Sequence, residues 1–150
     1  SMSGPRPESQ ISCAIEWDVL CRHIRSPPTQ EICSCHTGLY GKYHGPAPVF
    51  WALYHGDPNT GITMHKVSEG IDSGDIVDQR ETSIEKGDTI ESLEVKLMEL
   101  AADGLEDLVK RLKGGPVEAQ AQVEKGAYAH RPTKKDWAKL SRILEERHAK

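Results

Sequence analysis

The chain has 150 residues, 37% of them hydrophobic and 28% charged, with a formal net charge of -4 at pH 7. That length suits one domain, and the balance of apolar and charged residues argues against a disordered chain. No apolar run approaches the roughly 20 residues of a spanning helix, so no membrane partner is expected, and the net acidity argues against a general nucleic-acid surface.

Ser1 to Pro7 shows no basic-then-apolar pattern, and Ser1-Met2 reads as the scar of a cleaved tag, so the natural start is expected to lie elsewhere. Residues 1–10 are polar and proline-rich and are expected to form a mobile arm. Residues 11–25 hold Ile11, Ile15, Trp17, Leu20 and Ile24, which suit a strand or a short helix equally. The 4 cysteines, at 13, 21, 33 and 35, fit neither a paired zinc motif nor a disulfide framework. Reduced thiols in a cytoplasmic protein are expected, and no metal ligands are assigned.

Ser26-Pro27-Pro28 breaks the first segment, and a short strand follows from Glu31 to His36. A glycine-bearing loop runs from Thr37 to Gly45, and a helix is predicted to begin near Pro46 and to stop at Gly56. Asp57-Pro58-Asn59-Thr60-Gly61 reads as a turn, and Ile62 to Val67 alternates at strand period. A second strand is predicted from Ile76 to about Thr82, after a loop from Ser68 to Asp75. The strongest signal is a helix from Asp88 to Lys113, with Asp88 and Glu91 as a capping box and Ile90, Leu93, Leu97, Ala101, Leu105, Leu108 and Leu112 on one face. A strand-like stretch near Ala119–Val123, a turn at Gly126 and a terminal helix from about Lys134 complete the chain. This order predicts an α/β fold. Its expected divisions are the arm 1–10, a core over 11–137 and a C-terminal helix over 138–150.

Two loops that follow strands concentrate polar residues, the usual location of sites in α/β proteins. One is Ser34-Cys35-His36 with the loop behind it. The other runs through Glu69-Gly70-Ile71-Asp72-Ser73-Gly74-Asp75. A histidine at a strand end and an aspartate between glycine-bearing turns form a candidate acid–base pair.

The same two stretches resemble folate-dependent formyltransferases of the methionyl-tRNA and amino-sugar type. Their signature, Asn-x-His-x-Ser-Leu-Leu-Pro-x-x-Arg-Gly-x-x-Pro, is similar to Ser34 through Pro48, in register at Lys42-Tyr43-His44-Gly45-Pro46-Ala47-Pro48. Trp51-Ala52-Leu53, Thr60-Gly61-Ile62-Thr63 and Glu69 through Ile76 continue the match in order and spacing. The resemblance implies a formyltransferase-like fold, a partial Rossmann-like sheet with flanking helices. It implies formyl transfer from 10-formyltetrahydrofolate to a small-molecule amine, such as an amino sugar, or to methionyl-tRNA. His36 falls on the family's catalytic histidine, Asp72 on its aspartate and Ser34 on its asparagine. Ile71, Ser73 and Gly74 fall on backbone that cups the pterin, and His65 lies where some members carry a second active-site histidine.

Three departures shape the expectations. Serine in place of asparagine shortens one hydrogen-bond donor at the reacting oxygen. Leu39-Tyr40-Gly41 replaces a stiffer Leu-Leu-Pro, and His44 replaces an arginine. Relatives place about 100 residues, a nucleotide-binding-like sheet, ahead of the histidine that here is residue 36. The expectation is therefore a core with its N-terminal half missing or shortened. The alternatives are a weakly active relative that binds folate or a partner, and a formyltetrahydrofolate hydrolase. An exposed half-sheet edge further predicts a homo-oligomer.

Overall fold

A computed structural model describes residues 13–15, 33–39, 42–66, 74–121 and 126–149 of the chain. The expected arm at 1–10 lies outside the described residues, as do Ile71, Asp72 and Ser73. The architecture is mixed α/β, in the order β1 (Cys13–Ile15), β2 (Cys33–Thr37), β3 (Tyr43–His44), α1 (Pro48–His55), β4 (Asn59–Lys66), β5 (Ile76–Ser83), α2 (Ile90–Lys113), β6 (Ala127–Tyr128) and α3 (Lys134–Ala149). Four strands form one sheet in the order β1-β2-β4-β5, and β3 pairs with β6. β1 runs parallel to β2, whereas β2–β4 and β4–β5 are antiparallel.

One face of this sheet is apolar because alternate residues of its strands are apolar. Cys35, Ile62 and Met64 are buried there, and α2 packs over them, with Gly104 facing the Met64 methyl and the Arg80 side chain. α1 joins α2 on that side, and its Pro48 through Leu53 are all buried. α3 seals α1 through the buried Leu140 and an edge contact between Trp137 and Phe50, ring centroids 4.8 Å apart. Among the described residues no helix is long and apolar enough to cross a membrane.

Several boundaries depart from expectation. α1 begins at Pro48 because Ala47 is non-helical, at φ -142° and ψ 57°, so Pro48 rather than Pro46 takes the first-turn position that proline favours. The turn expected at Asp57–Gly61 is half strand. Asn59, Thr60 and Gly61 pair with Ser83, Thr82 and Glu81, so the ladder overrides their local turn preference. Of the stretch expected near Ala119–Val123, residues 122 and 123 lie outside the described residues, and Gln120 forms a bridge with Ile76 through backbone hydrogen bonds of 2.7 and 2.8 Å. β6 has no counterpart among the expected elements. Its two residues gain strand geometry only from the distant partners Tyr43 and His44.

The capping box of α2 also sits one residue later than expected. Thr89 Oγ1 accepts from Ser92 N at 3.2 Å, and Ser92 Oγ accepts from Thr89 N at 2.9 Å. The buried Asp88 instead gathers three donors at 2.7 Å: the Glu85 amide, the Ser92 hydroxyl and the Lys96 ammonium. Burial alone would raise the Asp88 carboxyl, but Lys96, Ser92 and the Glu85 amide together hold it below its ordinary 3.8. A depressed carboxylate stabilises the fold fully above its ordinary value, and the contribution is lost as pH falls through the lowered one. Asp88→Ala is therefore expected to cost about 2–3 kcal/mol near neutrality. The cost should shrink in urea denaturations carried out progressively below about pH 4.

Candidate active site

The antiparallel register of β2 and β4 sets Ser34 opposite His65 and His36 opposite Thr63. Directly opposed residues project from the same face, about 5 Å apart at Cβ. His36, Thr63 and His65 therefore share the face turned away from α2, because Cys35 and Met64, one residue along, point into the helix-covered core. Thr63 is 0% and His65 4% exposed, whereas His36 is half-buried. The more accessible imidazole is thus the one at the strand end.

The chain leaving His36 is held at once. Gly38 N donates to Gly61 O at 2.7 Å, and Gly38 O accepts from Thr63 Oγ1 at 2.8 Å. Gly38 has φ +129°, a conformation that L side chains rarely adopt, and an added Cβ would lie 2.8 Å from Pro48 Cβ. Glycine here lets the loop turn beneath α1 without moving the histidine. Gln79 Nε2 donates to Thr63 Oγ1 at 3.1 Å from the next strand.

Beyond Gly38 the loop is anchored again. Lys42 Nζ lies 3.1 Å from Asp57 Oδ1, and the Tyr43 hydroxyl donates to Asp57 Oδ2 at 2.9 Å. The same phenol oxygen lies 3.0 Å from His55 Nδ1. Its one proton goes to Asp57, so it accepts from a protonated His55 Nδ1. Burial first, then the hydrogen bond to Asp57 and the carboxylate's charge, push the Tyr43 phenol well above its ordinary value. It stays protonated throughout the ordinary pH range.

At the other end of β4, His65 Nδ1 lies 3.0 Å from Lys66 O. A carbonyl only accepts, so Nδ1 carries a proton and a neutral ring presents Nε2 as an acceptor. Gly74 packs against this pair. An added Cβ would collide with Lys66 O, come within 2.6 Å of the Lys66 carbonyl carbon and lie 3.4 Å from His65 Nδ1. Lys66 N also donates to Asp75 O at 2.9 Å. Gly74 and Asp75 are thereby fixed beside β4 and His65. Of the residues expected to form the site, the structure brings His36, His65 and Gly74 to this sheet, with Ser34 in register beside them.

Thr63 and Gln79 are not among the residues that sequence motifs single out. Period-two alternation puts Thr63 on the face of His65 and is an available signal, whereas Gln79 needs the β4–β5 register. An imidazole on this face that carries its proton toward the opening, as His36 can, donates to an oxygen that gains negative charge. The Thr63 proton is committed to Gly38, so that hydroxyl serves the backbone. The helix-covered side holds a separate cavity of about 360 Å³ between Thr37, Phe50, Ile90, Met98 and Trp137. Gly74→Ala is expected to destabilise the fold by about 1–3 kcal/mol, measured by urea denaturation, because backbone rather than a flexible side chain blocks the new methyl.

Residues 17–109 match the formyl transferase family. The chain is 33% identical over 131 residues to the methionyl-tRNA formyltransferase of Fusobacterium nucleatum, covering 84% of this chain and 42% of that protein. It is 35% identical over 132 residues to the enzyme of the same name from Caldanaerobacter subterraneus, covering 85% and 43%. The chain thus spans less than half the length of these relatives. In fold it resembles a 4-N formyltransferase from Francisella tularensis, with a TM-score of 0.70 at 15% identity, covering 89% of this chain and 60% of that one. It also resembles HypX from Aquifex aeolicus, solved with tetrahydrofolic acid, with a TM-score of 0.69 at 18% identity over 84% of this chain and 22% of that one.

Proposed function

Because the chain belongs to the formyl transferase family, we propose that it transfers a formyl group from 10-formyltetrahydrofolate to an amine, with His36 and Asp72 at the reacting centre. The observation that carries this reading is the shared face of His36 and His65, closed at one end by Gly74. An imidazole donor at His36 beside a glycine with no side chain of its own suits a formyl oxygen and a flat pterin. Ile71, Ser73, Gly74 and His65 are the residues that would hold the donor.

When bound, the donor supplies a formyl carbon on a nitrogen leaving group. The amine lone pair forms the new C–N bond as the old one breaks, and the amine proton ends on the departing nitrogen without any change of oxidation state. A protonated His36 donates a hydrogen bond to the oxygen that gains charge. Asp72 keeps that imidazole charged and relays the proton leaving the amine. Ser34 adds a hydroxyl at the same oxygen. The relatives' names point to an acceptor amine on methionyl-tRNA, and the motif resemblance equally admits an amino sugar.

The test is incubation with 10-formyltetrahydrofolate and each class of amine, following tetrahydrofolate and the formylated product. His36→Ala is expected to lower the rate by about 10²–10³-fold. No folate product, or a His36→Ala rate equal to the parent's, sinks the reading. Ser34→Asn restores the family's longer donor and is expected to raise kcat by about tenfold. Turnover without an amine would assign the hydrolase reaction instead. Ser34 also favours a second reading, in which the chain binds reduced folate without turning it over. Calorimetric binding with no product, in both the parent and Ser34→Asn, would select it.

A further inference from the structure

We propose that Gln79 is a positioning residue for His36, acting through the Thr63 hydroxyl and the Gly38 carbonyl; its catalytic consequence rests on the formyl-transfer reading above. The registers of two strand pairs carry the argument. His36 is opposite Thr63 across β2–β4, and Thr63 is opposite Gln79 across β4–β5, so the three lie in one row across one sheet face. Gln79 Nε2 donates to Thr63 Oγ1 at 3.1 Å, and Thr63 Oγ1 donates to Gly38 O at 2.8 Å. The chain of donors ends two residues after His36.

Direction matters in this relay. A hydroxyl has one proton, and it stays with Gly38 so long as no stronger acceptor beside it takes that proton. The Gln79 amide meets that condition. A carboxylate in its place only accepts, and as an ion it outcompetes a neutral carbonyl for the Thr63 proton. Gly38 O, on a buried glycine, would then lose that bond, and the segment behind His36 would relax. Gln79 is itself exposed, so its substitution leaves core packing almost untouched. That separates positioning from folding.

The experiment compares Gln79→Met, which removes the donor but leaves Thr63 bonded to Gly38, with Gln79→Glu, which reverses the bond. Two readouts are taken on the whole chain: amide and imidazole NMR spectra, and steady-state kinetics with 10-formyltetrahydrofolate and the best amine. Gln79→Glu is expected to shift the Gly38 amide and His36 ring resonances, with both returning toward the parent as the introduced carboxylate is protonated at pH ~4. Gln79→Met should shift them little. In kinetics, Gln79→Glu is expected to lower kcat about tenfold or more with KM for the donor unchanged, and Gln79→Met, which loses the restraint on the Thr63 hydroxyl, by about threefold. Unmoved resonances in Gln79→Glu, or equal losses in the two variants, would overturn the proposal. If the parent forms no product but the resonances respond as described, the formyl-transfer reading fails and the relay stands.

Discussion

Everything at this site depends on the register between β2 and β4. Because side chains alternate along a strand, a slip by one residue would turn His36 into the helix-covered core and Cys35 out to the polar face. Burial forbids that slip. Ile62 and Met64 are 0% and 1% exposed beneath α2, while Thr63 between them is fully buried with its hydroxyl bonded to Gly38. The apolar set and the polar set therefore specify one alignment together. Breaking it would strand a hydroxyl in the core as well as exposing hydrocarbon.

Given that register, the two loops can vary in sequence only where their anchors allow. The loop behind His36 is held at Gly38 by β4 and at Lys42 and Tyr43 by Asp57. At Gly74 the backbone lies directly on Lys66. The sheet thus divides labour between its faces. Helices α1 and α2 cover one side with hydrocarbon and give the strands rigidity, and the opposite side carries the imidazoles. Tyr43 stays neutral through this arrangement because burial and the neighbouring Asp57 charge both oppose its ionisation.

Much of this is legible in the sequence. The heptad-like spacing of Leu93, Leu97, Ala101 and Leu108 marks α2, and Gly56 marks the end of α1. Motifs alone single out His36, His65 and Gly74, and these three meet on one sheet. What local pattern could not supply came from contacts distant in the chain. Asn59 to Gly61 have turn composition yet complete a strand because β5 pairs with them. Ala127 and Tyr128 become β6 only beside β3. Asp88 has the composition of a helix cap, but Lys96, two turns into α2, draws it into a part-buried ion pair while Thr89 caps the helix. Gln79 reads as an ordinary exposed strand residue until the β4–β5 register sets it opposite Thr63.

The central claim is that the face bearing His36, Thr63 and His65 receives a reduced folate. The most direct test is an NMR titration of the whole chain with a stable 5-formyl analogue of the donor, following backbone amides and histidine rings on both faces. The account predicts saturable shifts concentrated at His36, His65 and Gly74, with Phe50, Ile90 and Trp137 around the opposite cavity unchanged. Shifts confined to that cavity, or none at saturating analogue, would contradict it.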